Sequence, residues 1–160
     1  MNNFISFFNG NGVNNPTQPW AMQAGTTALL PGQPAILGAT APYVIVAPDA
    51  SPVIGTHIYM GHSVGTSTQT SGADGVADLY QPMPGSVLLL PAKVASLIAT
   101  QSLYNAYVGK NVLFDLTTSV YTIDPAVQST TYGLTVMPLD VTIYPGSVAF
   151  IVRLSATYLS

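Results

Sequence analysis

The chain contains no cysteine and no glutamate, and its 160 residues include only three Lys or Arg and six acidic side chains, all aspartate. Without cysteine there are no disulfides, thiolate nucleophiles or sulfur-ligated metals, and the redox compartment stays open. The scarcity of Glu, Lys and Arg removes the residues that normally cover exposed helical faces, which argues against a helical protein. Charged residues make up 6% of the chain, against roughly 25% in ordinary soluble domains. Such a surface is either kept wet by neutral Ser, Thr, Asn and Gln side chains, as in a hydroxyl-rich monomer, or covered by other protein copies. Interface cores are depleted in charge, and coverage is the expectation adopted.

A net charge of −3, with the three cations Lys93, Lys110 and Arg153 dispersed, provides no basic footprint for nucleic acid. No apolar run reaches the roughly 20 residues that span a bilayer. The opening Met1-Asn2-Asn3-Phe4-Ile5 lacks a basic n-region and a small-residue cleavage site. Neither secretion nor membrane insertion is therefore signalled. The length suits one domain with a hydrophobic core of its own.

What is present is a cadence of β-type runs. Val112-Leu113-Phe114-Asp115-Leu116, Val120-Tyr121-Thr122-Ile123, Tyr132-Gly133-Leu134-Thr135-Val136, Val141-Thr142-Ile143-Tyr144 and Val148-Ala149-Phe150-Ile151-Val152 are separated by Asp124-Pro125, Met137-Pro138 and Pro145-Gly146. This spacing predicts a mainly β protein, an antiparallel β-sandwich or barrel. Residues 1–20 read as an extended N-terminal arm, because Asn and Gly resist regular structure there while Phe4, Ile5, Phe7 and Phe8 seek burial. These four residues and Trp20 are the candidate interface residues, with the arm expected to dock on a neighbouring subunit and Trp20 to close one end of the core. Residues 21–160 form the single β-rich domain.

Within that domain the prolines of residues 29–47 suggest edge strands or extended connections. Residues 54–60 suggest another strand, as do residues 76–80 and 87–90. Residues 65–75, polar and without an apolar anchor, are expected to form an exposed loop that is mobile when unbound. Residues 92–106 give the one short helix expected, with Val94, Leu97, Ile98 and Gln101 near helical spacing and Gly109 beyond its end.

Catalytic chemistry finds weak footing. His57 and His62 lie five apart without metal-ligand spacing. Gly61-His62-Ser63-Val64-Gly65 spells G-x-S-x-G, but no helical pattern follows it, as a nucleophile elbow requires. Asp74 and Asp78 make a nearby carboxylate pair without stacking aromatics. No glycine-rich phosphate cradle occurs, and the nine tyrosines are spread evenly. No catalytic, cofactor-binding or metal-ligating residue is assigned. Asp115, inside an otherwise apolar strand, needs a partner, and Lys110 or Arg153 is the expected cation of a structural ion pair.

Several stretches together resemble the small head decoration, or cement, proteins of tailed bacteriophages. They are Val87-Leu88-Leu89-Leu90-Pro91, Gly109-Lys110-Asn111-Val112 with Asp115-Leu116-Thr117-Thr118, Tyr132-Gly133-Leu134-Thr135-Val136, and Gly146-Ser147-Val148 with Ile151-Val152-Arg153-Leu154. The resemblance extends over residues 25–159 in strand-and-turn style. It implies a non-enzymatic β-rich virion subunit on the capsid surface that clamps neighbouring major capsid proteins, acts as a dimer or trimer with itself, and makes shell contact through an arm. The proline-rich middle and the helix depart from that pattern. The rival expectation is a fibre, spike or carbohydrate-binding β domain using residues 65–75.

Overall fold

The structure, a computed structural model, describes residues 6–8, 17–40, 42–81, 86–153 and 156. Its strands are β1 (Ser6–Phe8), β2 (Thr17–Met22), β3 (Pro34–Leu37), β4 (Val44–Val46), β5 (Tyr59–Ser63), β6 (Gly75–Tyr80), β7 (Val87–Pro91), β8 (Asn111–Val112), β9 (Phe114–Thr117), β10 (Val120–Ile123), β11 (Leu134–Val136) and β12 (Ser147–Val152). Two five-stranded antiparallel sheets dominate, in the orders β1-β7-β12-β11-β8 and β2-β6-β5-β3-β4, with β9 and β10 as a separate hairpin. The chain is thus mainly β and sandwich-like, with little helix and, among the described residues, no barrel closed by hydrogen bonds.

Alternation along the strands explains how the layers meet. Leu88, Leu90, Leu134, Val136, Val148 and Phe150 share the inward face of the first sheet and are buried in the main core. Phe114 is the hub of that core, its ring centroid 5.9 Å from Tyr59, 6.1 Å from Tyr121 and 5.8 Å from Phe150. The tilted and edge-on ring arrangements are those aromatic quadrupoles favour.

The second sheet is buried on both faces at β5. Tyr59 faces the main core, while Met60 joins Met22, Leu29, Ala35, Val44, Ala77 and Leu79 in a second core. The sheet curls around that second core until its edge strands β2 and β4 approach each other without pairing. Trp20, half-buried on β2, packs against this cluster.

Four expectations change. The helix expected over 92–106 is split into a 3-10 turn (Ala95–Ile98) and a short helix α1 (Gln101–Asn105). Thr100 interrupts it in extended conformation and starts α1 as N-cap, its Oγ1 accepting from the Leu103 N–H at 3.3 Å. Residues 141–144 are a turn rather than a strand, because the Asp140 carboxylate accepts from Thr142 N at 2.9 Å and Oγ1 at 2.6 Å while the Asp140 carbonyl accepts from Ile143 N and Tyr144 N. In the 54–60 stretch, the backbone turns at residues 54–56 and strand pairing begins only at Tyr59. β3 is an interior strand rather than an edge, with Pro34 at its first position, where its missing N–H is tolerated.

Candidate interaction surface

The sequence-predicted residues fall in different places. Phe4 and Ile5 lie outside the described residues. Phe7 and Phe8 belong to β1, whose backbone pairs in register with β7 of the same chain, Phe7 opposite Leu88 and Phe8 opposite Val87. The β1 backbone is therefore paired within its own chain. Residues 17–20, assigned to the arm by the sequence, start β2 and pair with β6.

Asp115 does not pair with Lys110 or Arg153. Its Oδ2 receives the Lys93 ammonium at 2.6 Å, and its Oδ1 receives the Thr117 hydroxyl at 2.7 Å. Burial alone would raise this carboxyl, but the bonds from Lys93 and Thr117 hold it below its ordinary value. Arg153 instead donates Nη1 to the carbonyls of Thr130 at 2.7 Å and Tyr132 at 3.1 Å. Lys93 reaches Asp115 because the residue before it, Ala92, forms a parallel bridge with Ile123 of β10, which lies beside β9. A pairing 22 residues apart in sequence has no local signal.

The stretch with the G-x-S-x-G lettering does not form a nucleophile elbow. Ser63 is buried at the end of β5, its hydroxyl donating to the Gly65 carbonyl, and the chain continues into the 65–75 loop. His62 is also buried, with its ring 5.4 Å from that of Tyr80, and loss of solvation pushes its imidazole down to about 3. His57 accepts the Val53 N–H on Nδ1 at 3.1 Å, which places its proton on Nε2. Among the described residues no three His, Asp, Glu or Cys side chains gather in a metal-binding group. No helix among them is long and apolar enough to cross a membrane.

The 65–75 loop is mostly exposed, as expected, but it does not stand free. Ser67 exchanges two hydrogen bonds with Leu29, its N–H donating to the Leu29 carbonyl at 3.0 Å and its Oγ accepting from the Leu29 N–H at 2.9 Å. Gly25 N donates to the Thr70 carbonyl at 2.9 Å and Gln69 Nε2 to the Thr26 carbonyl at 3.3 Å. The polar residues that suggested mobility are the ones that stitch the loop to the body.

The surface that stands out chemically lies where the 95–105 segment meets the 137–146 turn. Gln101 fastens them, Nε2 donating to the Leu139 carbonyl at 2.9 Å and Oε1 accepting from Val141 N at 3.2 Å. These adjoining segments expose Val94, Leu103 and Ile143, the last at 65% the most exposed large apolar side chain described. Residues 94–109 carry no charge at all, and Asp140 is the only charged residue in 125–152. Its carboxyl is held below the ordinary value by the Thr142 hydroxyl and N–H. Exposure of single apolar residues is ordinary, but here Asp140 is the one charge within the two segments that carry them. The sequence reading missed this surface because it took residues 141–144 for a strand and residues 92–106 for one continuous helix.

Compared with protein-family models, curated proteins and solved structures, the chain matches none.

Proposed function

We propose that the chain is a non-enzymatic structural subunit of a bacteriophage virion that docks on the outside of the capsid and bridges neighbouring major capsid proteins, associating with itself as a dimer or trimer. The observation that carries this reading is the charge-poor surface of residues 94–109 and 137–146, where Asp140 is the one charged side chain and Val94, Leu103 and Ile143 are turned outward. Covering one such aliphatic side chain contributes about 1.5–3 kcal/mol. Association costs consume much of that for a single contact. Repetition over a symmetric shell multiplies weak contacts into avidity, and contacts without charge lose little to salt. The strand-and-turn resemblance to cement proteins supports the same reading.

The test is co-sedimentation of the purified full chain with expanded phage capsids that lack it. Saturable binding, a fixed copy number per shell, and its loss in Ile143→Asp and Leu103→Asp variants with unchanged circular dichroism are expected. A chain that stays monomeric and leaves shells bare would overturn the proposal, as would glycan binding that accounts for particle association.

A further inference from the structure

The curled sheet has a seam. Its edge strands β2 and β4 approach without a backbone ladder, so closure depends on side chains. One carboxylate spans the gap. Asp74, just before β6, accepts the Ala24 N–H on Oδ1 at 2.8 Å and the Tyr43 hydroxyl on Oδ2 at 2.6 Å. Ala24 lies two residues beyond the end of β2, and Tyr43 immediately precedes β4. Immediately inside these tether points lie Met22 and Val44, both completely buried in the second core.

We propose that Asp74 is the latch of this seam, and that its release opens the second core locally, exposing Met22 and Val44 and the facing edges of β2 and β4 while the main core stays closed. The reasoning is energetic and geometric. A sheet closed by a ladder opens only with rupture of several backbone bonds, whereas this seam loses its bridge when one exposed side chain lets go. Regions held by few, solvent-accessible bonds open at free energies well below that of global unfolding. The Tyr43 phenol is pushed upward and the Asp74 carboxyl downward by the bond between them, as expected for a phenol donating to a carboxylate. From the β2 side the approaching group is a backbone N–H, which does not titrate. The latch is thus closed whenever Asp74 is ionised and Tyr43 is protonated.

The chain carries its own reporter. Trp20 is the only tryptophan, and it packs on the second core from β2. The experiment compares wild type, Tyr43→Phe, Asp74→Ala and the double variant at neutral pH. It uses acrylamide quenching of Trp20 and amide hydrogen exchange resolved between the two sheets. Tyr43→Phe removes one arm of the latch and Asp74→Ala both. Quenching and exchange at residues 22 and 44 are expected to rise in that order, exchange by about tenfold in Asp74→Ala, with amides of β7 and β12 unchanged. The double variant is expected to match Asp74→Ala, because the two groups act through one contact. Additive effects, equal acceleration in both sheets, or no change at residues 22 and 44 would each overturn the latch.

Discussion

The phenol of Tyr104 is inserted into the β-ladder at Ala149. Met137 N donates directly to the Ala149 carbonyl at 2.8 Å, but the return bond is relayed: Ala149 N donates to Tyr104 Oη at 3.0 Å, and Oη donates to the Met137 carbonyl at 2.8 Å. The helix α1 is thereby keyed into the end of the β11–β12 pairing by a side chain with no solvent exposure. Burial pushes this phenol upward, so the relay keeps its proton. Tyr104→Phe leaves a buried N–H and a part-buried carbonyl each without this partner. A loss of about 2–3 kcal/mol is expected, read as a lower urea midpoint with unchanged slope. A variant as stable as wild type would show that the keying is incidental.

Gly61 gives a steric prediction. Its φ of 131° lies where side-chain-bearing residues are strained, and a Cβ there would sit 2.2 Å from the Tyr80 carbonyl oxygen. Backbone cannot retreat from that contact without breaking the β5–β6 pairing. Gly61→Ala is expected to cost about 3 kcal/mol or more. Gly55→Ala, also at positive φ but with no atom within 4 Å of the added methyl, is expected to cost only about 1 kcal/mol. Equal melting temperatures for the two variants would refute the steric account.

The strand cadence from residue 112 onward was legible because period-two alternation and proline punctuation are local signals. Residues 114–117, 120–123, 134–136 and 147–152 pair much as that pattern implies. The hairpin joining β9 to β10 had no such signal: it turns through Thr118 and Ser119 at φ 51° and 66°, without the glycine or asparagine that usually marks such turns. The 141–144 error has a different origin, since the side chain of Asp140 decides that segment and β-propensity does not. The Lys93–Asp115 pair, the Asp74 latch and the outward-facing apolar surface depend on which distant segments become neighbours. A single sequence does not encode that in any local pattern.

The Lys93–Asp115 pair is half in solvent, with side-chain exposures of 41% and 20%, so it contributes modestly despite its short distance. Asp115→Lys is expected to lower the melting temperature by more than Lys93→Met does, because it sets two cations together and leaves the Thr117 hydroxyl facing an ammonium. Lys93→Asp combined with Asp115→Lys should recover part of that loss. The same swap made with Lys110 in place of Lys93 should recover none; recovery there would restore the pairing first expected from the sequence.

His62 sets how the fold meets mild acid. Its imidazole is buried and driven down to about 3, so the native state holds it neutral while the unfolded chain protonates it near its ordinary value of about 6.5. Between those values the unfolded state binds one proton more, and stability falls as pH falls. Above about 6.5 the residue contributes no pH dependence; below it the slope from this one group is about 1.4 kcal/mol per pH unit. The depressed carboxyls of Asp74, Asp115 and Asp140 add their own losses only as pH drops toward the ordinary carboxylate range, near 4. The interval from pH 6 to 4.5 therefore precedes most of the carboxyl losses, and comparison with His62→Gln picks out this group within it. Urea unfolding across that interval is expected to lose about 2 kcal/mol in the wild type and much less in His62→Gln, whose side chain does not titrate. Parallel stability curves for the two proteins would mean that His62 takes up its proton without leaving the fold.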